Sequence, residues 1–172
     1  MNNGRYIVTG LIILILQLFA CEFLNIWPPL YVAVLPLFIM LLPAAFNSYL
    51  LMLLAFGMGL VVDALSDGVL GLNATACTSV AFFKKTMLGT VMRYDTQTAI
   101  NTIGSRVMGR AKFFVMMLMA YAIYFTIYVL LDGMGLGDIL FILFRIILNV
   151  FVNALIACAL ESLFNYRVLR NG

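Results

Sequence analysis

The chain has 172 residues, of which 65% are hydrophobic and only 10% charged, with a net charge of +3 and a mean hydropathy of +1.13. A soluble domain of this length has too much surface for its volume to hide so much apolar side chain, so composition excludes an ordinary globular fold and points to one membrane domain. There is no histidine, which removes the commonest general base and the commonest metal ligand. Cys21, Cys77 and Cys158 stand alone in apolar runs and read as small buried hydrophobes.

Arg5 precedes the first apolar run, 6–24. No small-x-small cleavage pattern closes that run; it meets Glu22, Asn25, Trp27, Pro28 and Pro29. It therefore reads as a retained first span rather than a signal peptide. The second span, 30–43, lies between Pro28-Pro29 and Pro43 and contains Pro36. It is shorter than the roughly 20 helical residues a crossing takes, which predicts a kink at Pro36 or partial re-entry. The remaining spans are expected at 48–65, 69–83, 112–131 and 138–163, the last long enough to tilt. The connection 84–111 is the long one. Met87, Leu88, Val91 and Met92 recur there at helical spacing beside Lys84, Lys85 and Arg93, which predicts a short amphipathic helix on the cytoplasmic leaflet; 96–105 reads as a loop.

Charge placement supports this division. Arg5, Lys84, Lys85, Arg93, Arg106, Arg110, Lys112, Arg167 and Arg170 are nine of the ten basic residues, and all fall on one side of a six-span layout. The connections after spans one, three and five carry Glu22, Asp67, Asp132 and Asp138 instead. Basic residues concentrate on the cytoplasmic side, so both termini are expected there.

Polar groups inside spans are costly and tend to face protein or water. Ala55, Gly59 and Asp63 are four apart and share a helix face, with Gly57 beside them. Small residues allow a close helix contact, closed here by a polar end; an internal contact and a functional groove both remain open. Gly68, Gly71 and Asn73 form a turn into span four, followed by Thr75, Thr78 and Ser79. The glycines serve positive φ or close packing, or else line a ligand loop. Arg145, Asn149 and Asn153 make one polar stripe on span six. Arg145 and Asp63 stand at compatible depths with no other buried counter-ion in view, so a contact between them, direct or through Asn73, is expected. Tyr121, Tyr124 and Tyr128 form a stripe explained by aromatic packing.

Catalysis finds little support. Asp63 and Asp67 are i, i+4 carboxylates, but Asp67 falls in the exterior loop. Gly57-Met58-Gly59 is not followed directly by Asp, as an intramembrane aspartyl protease would need, and no Ser or Cys has a nearby base. The chain is expected not to be an enzyme, and nothing in it calls for a cofactor, a metal or nucleic acid.

The run Phe56-Gly-Met-Gly-Leu-Val-Val-Asp63-Ala-Leu-Ser-Asp-Gly68-Val-Leu-Gly71-Leu-Asn73 resembles the signature region of the rod shape-determining protein MreD family. Length and six-span layout fit as well. Ile100-Asn-Thr-Ile-Gly104 and Leu143-Phe-Arg145-Ile-Ile-Leu are similar to the forms seen in Bacteroidetes members. The chain departs from many such relatives in lacking their histidines. The resemblance implies a non-catalytic subunit of the cell-elongation (Rod) complex. It would bind the single-span protein MreC. Through MreC it would reach the cytoskeletal MreB, the glycosyltransferase RodA and an elongation penicillin-binding protein. The family is also similar in fold to the substrate-binding subunits of energy-coupling-factor transporters. The alternative is therefore a vitamin-type binding subunit, with a polar cavity between span six and the loop 66–73; such a cavity is expected to show more convergent polar and aromatic residues than Asp63, Asn73, Arg145, Asn149 and Asn153. In the scaffold reading, Gly57, Gly59, Asp63, Gly68, Gly71, Asn73, Arg145 and Asn149 shape a partner-binding or structural groove, and the basic connection 84–111 lies on anionic lipid or near cytoskeletal filaments.

Overall fold

The computed structural model describes residues 3–23, 29–44, 46–67, 69–92, 108–132 and 138–170. Gly68, Arg93, Arg106 and the 96–105 loop lie outside them, as do the side chains of Arg5, Asp67, Arg167 and Arg170. The described residues are helical apart from short connections. The helices are α1 (Asn3–Phe23), α2 (Leu35–Leu41), α3 (Ser48–Val62, continued by a π turn Asp63–Asp67), α4 (Leu72–Val91), α5 (Arg110–Asp132) and α6 (Ile139–Arg170). Three are long and apolar enough to cross a membrane, over Ser48–Ser66, Arg110–Asp132 and Ile139–Ser162; Thr9–Phe23 is a shorter apolar helix.

Their surfaces say what surrounds them. Only 22% of the apolar window of α6 is buried inside the protein. Leu140, Phe144, Ile147, Phe151 and Leu155 of α6 are exposed, as are Leu11, Ile15 and Phe19 of α1. So much outward apolar surface requires a lipid solvent.

The chain packs in sequence: α3 on α4, α4 on α5, α5 on α6, with α1 against α2, α3 and the π turn. Gly59 sets the α3–α4 distance. A Cβ there would stand 2.5 Å from Ala74 Cα and 2.7 Å from the Asn73 carbonyl oxygen, so the two backbones touch. Gly57 faces the opposite way, with open space around it. The face shared by Ala55, Gly59 and Asp63 is thus buried within the protein.

The second apolar segment is not a helix kinked at Pro36. Residues 30–34 have no regular secondary structure and lead into the two-turn helix α2, with Pro36 in its first turn. Proline is at ease there because that N–H would lack a helical partner anyway.

The fourth apolar segment also departs from the expected bounds. The helix does not stop at 83 but continues unbroken to Val91. Met87, Leu88 and Met92 are buried against the protein, so the apolar stripe meant for the leaflet belongs to α4. No glycine or proline interrupts residues 83–88, and Lys84 turns inward rather than marking a membrane edge.

Candidate functional site

α4 begins at Gly71, whose φ of 105° only glycine adopts freely, and Gly71 has no side chain to cap the helix. The cap comes from Asp63 instead. Asp63 Oδ2 accepts the N–H of Gly71 at 2.9 Å and of Ala74 at 3.1 Å, while Oδ1 accepts the N–H of Asn73 at 2.8 Å and its side-chain Nδ2 at 2.9 Å. The carboxylate is fully buried. Four N–H donors and the positive end of a helix replace its water, so it has no need of a cation. Asp63 keeps helical φ and ψ at the end of α3, on the face of Ala55 and Gly59, and this turns its carboxylate toward the start of α4; the π turn runs on from it.

Asn73 extends this junction. Its Oδ1 accepts the Tyr31 hydroxyl at 3.2 Å and, closer still, the Tyr124 hydroxyl. Tyr31 stacks on Tyr128 with ring centroids 4.7 Å apart. The tyrosine stripe of α5 is therefore more than aromatic packing: Tyr124 bonds Asn73 and Tyr121 donates to the Ala33 carbonyl at 2.9 Å.

That carbonyl belongs to the extended strap 29–34, whose backbone cannot satisfy itself. Side-chain amides do so, each in the same manner. Asn149 takes the Tyr31 N–H and donates to the Pro29 carbonyl, both at 2.7 Å. Asn153 takes the Ala33 N–H at 2.7 Å and donates to the Tyr31 carbonyl at 2.8 Å. On the other edge, Gln17 of α1 takes the Val34 N–H and donates to the Val32 carbonyl at 3.1 Å. Each amide grips the C=O of one strap residue and the N–H of the residue two further on, as a neighbouring parallel strand would. The spacing explains why Asn149 and Asn153 work together. Four residues of helix rise about 6 Å and two residues of strand about 6.6 Å, so the grips keep step. The second amide hydrogen of each asparagine returns to its own helix, to the carbonyls of Arg145 and Asn149.

At the other end of the strap segment, Lys84 Nζ donates to the carbonyls of Ile39 and Leu42 at 2.8 and 2.7 Å. Those are orphan groups at the C-terminus of α2, where a cation is favoured.

Arg145 does not reach Asp63. Its Nη1 pairs with Asp132 Oδ2 at 2.6 Å, at the end of α5. This corrects the expected Asp63–Arg145 contact, and the reason is physical: Asp63 is saturated by N–H groups, and Asp132, assigned by sequence to an outer connection, sits on the helix beside Arg145. Of the expected groove residues, Gly59, Asp63, Gly71 and Asn73 come together, Asn149 and Asn153 join them through Tyr31, Arg145 and Gly57 stand apart, and Gly68 lies outside the described residues. Sequence reasoning missed Gln17, Tyr31 and Lys84. A lone amide in an apolar helix and a lysine directly after one were the available signals.

Fold and site together define the class, an all-helical membrane protein with a buried, hydrogen-bonded polar core. Comparison with family models, with curated proteins and with solved structures found no match.

Proposed function

We propose that this protein is a non-catalytic scaffold subunit of the bacterial cell-elongation (Rod) complex, in keeping with its resemblance to the MreD family. In this reading it crosses the cytoplasmic membrane six times, with the strap and α2 as the second crossing and both termini inside. It holds an MreC-like single-span protein and through it contacts MreB, RodA and an elongation penicillin-binding protein. One observation carries the choice over a vitamin-binding subunit. Asp63, Asn73, Asn149 and Asn153, four of the five side chains expected at a ligand cavity, spend their hydrogen bonds holding the protein to itself, and the fifth, Arg145, pairs with Asp132. A binding subunit needs convergent polar groups left for its ligand; a scaffold needs a rigid body.

Purification from the native membrane in mild detergent, followed by mass spectrometry of what accompanies the protein, tests this. An MreC-like protein with elongation synthases is the expected result. A coupling subunit with ATPases, or a bound vitamin, would overturn it.

A further inference from the structure

The strap is held unequally on its two edges. Asn149 and Asn153 of α6 and Tyr121 of α5 serve the edge formed by residues 29, 31 and 33. The other edge, formed by residues 30, 32 and 34, faces α1, and among the described residues Gln17 is its only side-chain partner. Gln17 serves the Val32 C=O and the Val34 N–H. The matching rung two residues back is the Leu30 C=O with the Val32 N–H, and neither has a hydrogen-bond partner among the described residues.

Position 21 is where such a partner would stand. α1 runs antiparallel to the strap and α2, because Gly10 packs on the Phe38 ring while Gln17 meets residues 32 and 34. Four residues of helix keep step with two of strand, so the rung of Leu30 and Val32 falls to Cys21. The Cys21 thiol lies instead against the Tyr31 hydroxyl, at 3.3 Å, and a thiol is a weak hydrogen-bonding group. The rest of α1 adds little hold. Its buried side is one stripe, Gly10, Ile13, Gln17, Ala20 and Cys21, while Leu11, Ile12, Ile15, Leu16, Phe19 and Phe23 are exposed.

We propose that α1 is a flap, which swings off the strap as one helix while the strap stays clipped to α6. The edge it uncovers presents the carbonyls of Leu30 and Val32 and the N–H groups of Val32 and Val34. Lipid offers those groups no replacement partner, so the closed state dominates and the open one is a minor state. The flap rests on the fold alone and is independent of the scaffold reading.

The test is labelling of the full chain in detergent with N-ethylmaleimide, each cysteine being followed separately by peptide mass spectrometry. Cys21 and Cys77 are both buried, but α1 packs on α2, α3 and the π turn, so Cys77 of α4 serves as the measure of wider unfolding. Gln17→Leu removes the grip of α1 on the strap and should speed labelling of Cys21 roughly tenfold, with Cys77 unchanged. Fraying of the end of α1 would also bare Cys21. A second reporter, Ile13→Cys, lies two turns further in on the same stripe, where fraying does not reach. In Gln17→Leu it should speed up together with Cys21. An unchanged rate at Cys21, an equal rise at Cys77, or a rise at Cys21 without one at position 13 would overturn the proposal.

Discussion

The start of α4 and the strap 29–34 face the same difficulty and solve it from opposite distances along the chain. Both expose backbone N–H or C=O groups where lipid offers no replacement for water. At α4 the partner is one carboxylate, Asp63, acting on N–H groups eight to eleven residues away. At the strap the partners are neutral amides, and those of Asn149 and Asn153 lie about 120 residues away. The carboxylate accepts only, which suits a helix N-terminus that only donates. An extended backbone alternates donor and acceptor, so it needs a group that does both, and an amide is the side chain that can.

That difference orders the effects of mutation. The largest is expected at Asp63, because Asp63→Leu strands three backbone N–H groups and the Asn73 amide in a dry interior. The cost should be about 4 kcal/mol or more, read as loss of monodisperse protein after detergent extraction. Asp63→Asn keeps the shape and should recover part of it. Gly59→Ala follows, at about 2–3 kcal/mol, since its Cβ would stand 2.5 Å from backbone on α4. Gly57→Ala, with open space around it, should leave the thermal midpoint unmoved. Equal effects at the two glycines would mean that α3 and α4 do not meet as described.

The strap comes next. Asn153→Leu removes two bonds to the strap and should cost about 2 kcal/mol, with Asn149→Leu similar. Asn153→Asp should be worse than Asn153→Leu, because it loses the donor to the Tyr31 carbonyl and buries a charge. Thermal unfolding of the purified variants checks the order. If Asp were tolerated as well as Leu, the amide would not be gripping the strap in both senses.

The same contrast of distances explains what could be read from the sequence. Asp63, Gly71 and Asn73 lie within one short run, so a helix face ending in Asp and a glycine turn already suggested their meeting. The π turn that runs on from Asp63 has no residue signature. Asn149 and Asn153 were visible as a stripe on α6, but their partner is the backbone of 29–34, which carries no side-chain signal at all. The extended strap was hidden because apolar residues bounded by prolines read alike as helix or strand until a length test is applied. By sequence Lys84 falls among the connection cations, because hydropathy cannot tell an inward lysine from an outward one.

The smallest effect is expected at the charge that looked most telling. Arg145 and Asp132 have side chains 20% and 34% exposed, so their ion pair should contribute no more than about 1 kcal/mol. Arg145 Nε is buried without a partner, which offsets part of even that gain. Arg145→Gln should therefore lower the thermal midpoint only slightly, and a double-mutant cycle with Asp132→Asn should show weak coupling that fades with added salt. The cycle that sharpens the comparison joins Arg145→Gln to Asp63→Asn. Those side chains share no contact, and Asp63 is held by N–H groups alone, so the two losses should add. Coupling above about 0.5 kcal/mol would mean that the carboxylate draws on a cation after all. The start of α4 would then depend, as the strap does, on a side chain from the far end of the chain.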